Sequence, residues 1–431
     1  NDTFPLWYVQ EIESYRTDVR VICTSLFATD WYVDQMKHKA YESPPIPSQL
    51  THKLYRYGNR DVIYLQKITE NRWDIKDFIN WIGSDRPETK LKYYLEKNGA
   101  DVGEYPESTL DLVYYPTDKI RVPVNKENVL KSGLVKEKDS ALIVDYIDID
   151  LPGALAKNRI MMLDILANND WERPIYFSGG SFDDAEYLWM KDYLQLDGMA
   201  YKLVPIRTQN RSPFEMGRID TDLMYEKVMN WEWGNSGSSE IYHDPQTRSQ
   251  GLSLRSNLAR LTEELIKENK IEKAREVIDL AMTNMPLEYY GFFTFAEPFL
   301  DGYYKTGETM KARALFEKLR TIYKDRLEYY ENVPLDQQYE QIEDILADME
   351  AYKRVIDIAI ENDDREIAEK ETQMFNEQLD KFGFYQDSFL EELPEIPGSV
   401  PPPTAPVDSI SQDAIDAELP DTTSVAEPIE E

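Results

Sequence analysis

At Gly234-Asn235-Ser236-Gly237-Ser238-Ser239 the hydrophobic pattern of this 431-residue chain changes period. Before that stretch, short apolar runs bounded by Pro, Gly and Asp predict strands alternating with helices. After it, from Leu252 to Phe382, apolar residues recur at helical spacing. One layer type cannot serve both patterns, so the sequence predicts an α/β region followed by an all-α region.

In the first region Asp2 and Thr3 are helix-capping types and Pro5 suits a first turn. Leu6, Tyr8, Val9, Ile12 and Tyr15 then keep an apolar helical stripe, and 18–24 reads as a strand containing Cys23. A helix feeding a strand is half of an alternating unit, which normally has a strand before the helix. The chain is therefore read as the C-terminal piece of a longer protein. Further strands are predicted at 61–65, 110–115, 120–124, 141–149, 174–177 and 199–206, the second and third flanking the Pro116-Thr117-Asp118 turn. Helices are predicted from Thr29-Asp30 through Met36, and at 75–82, 155–168 and 183–194. The alternation predicts an open, mostly parallel, Rossmann-like sheet over 1–235.

Beyond the break, Leu258, Leu261 and Leu265 share one helical stripe. Ala274, Ile278, Ala281 and Pro286 follow the small-large-small-Pro spacing of a tetratricopeptide second helix. Ala312, Phe316 and Leu319, after Gly307, repeat it. A third pair is expected at 345–360 and 367–379, making 250–385 a short tetratricopeptide-like array whose concave face binds a partner. After Lys381 there is no Lys, Arg or His, and eight prolines intersperse many carboxylates. The 390–431 tail is expected to be disordered.

The charge balance, 48 basic against 81 acidic side chains for a net −33, excludes nucleic acid as a partner and disfavours anionic lipid surfaces. One cysteine permits no internal disulfide. No apolar run approaches a membrane span, since Ile160-Met161-Met162-Leu163 ends at Asp164.

In an open parallel sheet, ligands bind beyond the carboxyl ends of the strands. Three loops are placed there: Asp2-Thr3, the Ser25–Trp31 stretch with Asp30, and Ser178-Gly179-Gly180-Ser181. The candidate ligand-binding residues are Asp2, Thr3, Asp30, Trp31, Ser178, Gly179 and Gly180. The glycines would let backbone approach a phosphate, but no dinucleotide fingerprint or Walker lysine is present. Asp145, Asp148 and Asp150 are weighed as ligands for a hard cation against a solvated strand end. His38, His52 and His243 lie far apart, so no transition-metal site and no cofactor is expected. Neither a nucleophile motif nor any catalytic residue stands out.

Several uncommon strings then coincide in order. Asn1-Asp2-Thr3-Phe4-Pro5-Leu6-Trp7-Tyr8, Gln10-Glu11, Arg16-Thr17-Asp18-Val19-Arg20-Val21 and Thr29-Asp30-Trp31-Tyr32 open the chain. Arg173-Pro174-Ile175-Tyr176-Phe177, the 198–205 stretch and Trp233-Gly234-Asn235 follow. Over 1–235 the sequence resembles a Bacteroidetes family of multi-pass inner-membrane proteins described as protein O-mannosyltransferase-like, in the glycosyltransferase C superfamily. The resemblance implies a periplasmic soluble region tethered to the inner membrane through an N-terminal membrane domain. That domain would transfer sugar from a lipid-phosphate donor to protein. The implied partners are the membrane domain itself and an acceptor or partner protein on the helical repeat. The resemblance implies no catalytic residue within these 431 residues. Two other readings stand beside it. One is a stand-alone periplasmic tetratricopeptide-type scaffold, and the other a sugar-nucleotide enzyme using the 178–181 turn.

Overall fold

The computed structural model describes residues 3–178, 188–208 and 216–382. The chain's internal contacts define two units, Asn1–Phe375 and Asn376–Glu431. In the second, the described residues continue the helix Arg365–Leu379 to its end.

Nine short strands occur among the described residues: β1 (Val62–Leu65), β2 (Trp73–Asp74), β3 (Tyr114–Tyr115), β4 (Lys119–Pro123), β5 (Tyr146–Asp150), β6 (Ala154–Ala156), β7 (Tyr176–Ser178), β8 (Leu194–Asp197) and β9 (Ala200–Leu203). They form three three-stranded sheets, ordered β3-β1-β6, β2-β4-β5 and β7-β9-β8. Only β1/β3 and β2/β4 are parallel, and the other four pairings are antiparallel. This differs from the single open, mostly parallel sheet that the alternation predicts. The turn at 116–118 shows one reason. Thr117 is fully buried and its hydroxyl donates to the Asn71 carbonyl at 3.0 Å, so β3 and β4 leave the turn into different sheets.

Within the second sheet the alternation holds. Ile120 faces Ile149 and Val122 faces Ile147 on the buried side, while Arg121 faces Asp148 on the other. The helix Ile75–Ile82 buries Ile75, Phe78, Ile79 and Ile82, and the Asp74 carboxylate caps it by accepting from the Lys76 N–H at 2.8 Å. It packs on the helix Lys157–Asn169, which buries Ile160, Met161 and Leu163.

The predicted strand at 18–24 does not form. Side chains take the backbone bonds that a ladder would need. The Cys23 N–H donates to the Tyr32 hydroxyl at 2.9 Å, and the Val19 carbonyl accepts from the Gln10 side-chain amide at 2.9 Å. Cys23 is half-buried in this irregular stretch. Without that strand, the α/β unit expected around the helix Thr3–Glu13 is not built, and this helix buries no side chain.

The helical region runs in pairs. Asp244 caps Pro245–Lys267 through the N–H groups of Gln246 and Thr247, and this helix packs on Ile271–Asn284. Glu297–Lys305 packs on Thr309–Glu331, and Ile342–Glu361 meets Arg365–Leu379 through Tyr352 against Phe375. Ala274, Ile278, Ala281, Ala312, Phe316 and Leu319 are all fully buried. Gly302 must be small, because a Cβ there would lie 2.9 Å from the Ile278 side chain. Within the first unit the two regions are joined by polar bonds. Arg260 donates to the Gly217 carbonyl at 2.8 Å, and Asp222 pairs with Lys270 and Lys273 at 2.8 and 3.0 Å.

Candidate functional site

The helix Asp30–Met36 carries Asp30, Asp34 and Lys37 on one stripe, with Lys37 as its C-cap. The short helix His52–Tyr55 lies against it. Asp34 is the hinge of the cluster: one carboxylate oxygen accepts from the Tyr55 hydroxyl at 2.7 Å, and the other lies 2.8 Å from His52 Nδ1. Because a carboxylate only accepts, Nδ1 carries the proton, and Nε2 has no partner among the described residues. Burial raises the Asp34 pKa, but the bonds from Tyr55 and His52 outweigh it and hold the carboxyl below its ordinary value.

Asp30 holds the neighbouring loop. Its carboxylate accepts from the Tyr57 N–H at 2.9 Å and the Trp31 N–H at 2.7 Å, and these bonds lower its pKa. Around it the Trp31 and Tyr57 side chains are 55% and 89% exposed. Beneath lies a polar ladder into the core. The Lys37 ammonium sits 5.3 Å from the Tyr55 ring centroid and donates to the Ser48 hydroxyl at 3.2 Å and the Leu50 carbonyl. Ser48 donates to the buried Asp164 at 2.5 Å. Burial raises the Tyr55 hydroxyl, with Asp34 adding to it, and lowers the Lys37 ammonium.

The cluster therefore offers an exposed indole and phenol, a carboxylate and an imidazole nitrogen on one surface. Such a surface suits a ligand with both apolar faces and hydroxyl groups. It holds an acid–imidazole pair but no nucleophile bonded to the imidazole among the described residues.

Of the sequence-predicted site residues, Asp30 and Trp31 fall here. Trp31 is exposed, on the first turn of a helix and on no sheet edge. Asp2, Gly179 and Gly180 lie outside the described residues. Thr3 opens the Thr3–Glu13 helix, and Ser178 ends β7, in a wholly antiparallel sheet. Asp34, His52, Tyr55 and Tyr57 were missed. The signal was present in the i, i+4, i+7 spacing of Asp30, Asp34 and Lys37, and in the i, i+3 spacing of His52 and Tyr55.

The weighed cation site resolves differently. Asp145 pairs with Lys126, Asp148 with Arg121 and Asp150 with Arg72, at 2.7 to 2.9 Å. Among the described residues no group of three or more His, Cys, Asp or Glu is arranged to hold a metal ion. His243 is buried apart from the other two histidines, stacked on Tyr289.

Residues 1–223 match the family model of TMEM260-associated domain 2. The chain belongs to that family. It is a domain of a membrane-protein family, and the match contains the whole Asp30–Tyr57 cluster. No helix among the described residues is long and apolar enough to cross a membrane. No curated protein and no solved structure matches the chain.

Proposed function

We propose that this TMEM260-associated domain 2 chain is the periplasmic region of a membrane-bound protein O-mannosyltransferase-like enzyme of the glycosyltransferase C superfamily. In this reading the Trp31–Tyr57 surface binds the sugar-bearing acceptor, and the helix pairs, as a tetratricopeptide-like array, hold acceptor or partner protein. The membrane domain supplies the chemistry, and the 431-residue chain transfers no sugar itself. The observation that carries the reading is the pair of exposed aromatic side chains beside Asp30 and His52, inside the family-matched region. The string resemblance supplies the enzyme class, the compartment and the Bacteroidetes origin.

The test is a titration of the chain with a mannosylated peptide and with the same peptide unmodified, followed by tryptophan fluorescence. Binding of the glycosylated form alone is expected, and it should be lost in W31A. No change with either peptide overturns the reading, as does sugar transfer by the chain on its own. Saturable binding of both peptides alike, unaffected by W31A, would instead favour a protein-binding scaffold using the helix pairs.

A further inference from the structure

Two arginines from distant parts of the chain converge on one loop. Arg20 belongs to the Arg16–Val21 string and Arg173 to the Arg173–Phe177 string. The Arg20 guanidinium donates through Nη2 to the carbonyls of His38, Ser43 and Pro44 at 2.8, 3.3 and 3.5 Å. Arg173 donates through Nη1 to the carbonyl of Pro45, the next residue, at 2.8 Å. Both side chains are half-buried. Yet in a chain of net charge −33, no carboxylate among the described residues lies within ion-pairing distance of either. Most of the other arginines have such a carboxylate, including Arg16 with Asp18 at 2.8 Å.

The donors are also underused. A guanidinium has five N–H groups. Arg20 commits only Nη2, and its buried Nε has no hydrogen-bond partner among the described residues. Arg173 commits only Nη1. Burial lowers both pKa values, and for Arg20 the charge of Arg173 lowers it further. Two like charges, partly desolvated and with unspent donors, are stabilised when an anion lies between them.

We propose that Arg20 and Arg173 form a binding site for a phosphomonoester-type anion, braced by the Ser43-Pro44-Pro45 loop. A dianion with three terminal oxygens matches two guanidinium forks, whereas one carboxylate is saturated by a single fork. The proposal does not depend on the carbohydrate reading. The phosphate group would come from a soluble phosphomonoester or from a lipid headgroup.

The probe is inorganic phosphate, added to the full chain at constant ionic strength, with sodium chloride and sodium acetate as controls. A saturable rise in unfolding temperature is expected with phosphate alone. R20Q and R173Q should each weaken the apparent affinity by about tenfold or more. Should a variant fail to fold, the native chain is treated with phenylglyoxal and mapped by peptide mass. Phosphate should then protect Arg20 and Arg173 and leave Arg16 reactive. Flotation with phosphatidylcholine vesicles, with and without dilute phosphatidic acid, separates the sources. Arg20-dependent binding to the phosphatidic acid vesicles assigns a lipid phosphate, and phosphate binding without flotation assigns a soluble one. An equal response to chloride or acetate overturns the proposal. So does a response retained in both variants, or the absence of selective protection.

Discussion

The helical region holds the fully buried Arg255 and the α/β region the fully buried Asp164, and the two serve opposite backbone groups. Arg255 donates to the carbonyls of Met285 at 2.7 Å, Gly291 at 2.5 Å and Phe292 at 3.4 Å. Met285 and Gly291 are the C-caps of two helices. Asp164 accepts from the N–H groups of Gln49 and Leu50, the Ser48 hydroxyl and the Asn168 amide. Helices satisfy their own interior and leave carbonyls at their C-termini, so a cation is wanted there. The irregular 48–50 stretch has no ladder to occupy its N–H groups, so a carboxylate is wanted. The sign of a buried charge thus follows the kind of backbone group left over. Arg60 tests the rule inside the α/β region. It caps the end of the helix Ile75–Ile82 through the carbonyls of Ile82 and Ser84, as Arg275 does at Thr306 in the helical region.

The largest effect is expected from R255M. It preserves much of the volume but leaves the carbonyls at two helix ends unpaired, and stability should fall by about 3–5 kcal/mol. Burial pushes the Arg255 pKa down to about 10, so the group is still cationic at neutral pH. Denaturant unfolding measures the loss. A cost near that of an exposed substitution would show that water reaches these carbonyls, and the comparison would fail.

D164A should cost about 3 kcal/mol, because buried N–H and hydroxyl donors lose their acceptor. Its pH dependence sharpens the point. Burial raises the Asp164 pKa, against the bonds from Ser48, Gln49 and Leu50. The folded state therefore holds this proton more tightly than the unfolded state, whose value is near 3.8. The group's contribution falls as pH rises from there through the folded value. Unfolding curves at pH 4 and pH 7 should show D164A costing more at the lower pH.

These two residues also show where a sequence is readable. Leu258, Leu261 and Leu265 read as one helical stripe, and that reading passes over Arg255, although it stands at helical spacing among the buried Gly251, Leu258 and Thr262. The helix Ile75–Ile82 was predicted to the residue, because its period and its Asp74 cap agree. Asp164 ends an apolar run inside the helix predicted at 155–168, and the structure places it in the helix Lys157–Asn169. Apart from Asn168, its partners lie at 48–50, more than a hundred residues away in sequence, and no local pattern encodes them. The same holds for 18–24, whose Val-Ile-Cys composition suits a strand while the side chains of Tyr32 and Gln10 take backbone bonds of the stretch. Two-residue strands such as β2 and β3 carry no period at all, so the division into three sheets could not be read. In the candidate site the acidic stripe of one helix was legible. Its meeting with His52, Tyr55 and Tyr57 depends on tertiary packing.

The smallest effect is expected where the two regions meet. Asp222, in the first turn of the helix Thr221–Met229, pairs with Lys270 and Lys273 across the contact. Those lysines hold its carboxyl well below the ordinary range. The group is about two-fifths exposed, so solvent screens the pairs, and D222N should cost about 1 kcal/mol or less at neutral pH. The sign is opposite to that of Asp164. With the folded pKa below the unfolded value of 3.8, the contribution is full above that value and is lost as pH falls toward the folded one. The cost of D222N should therefore shrink between pH 5 and pH 3, while the cost of D164A grows over the same interval. Parallel slopes for the two variants would mean that position in the fold, buried loop or solvated contact, does not set how these carboxylates act.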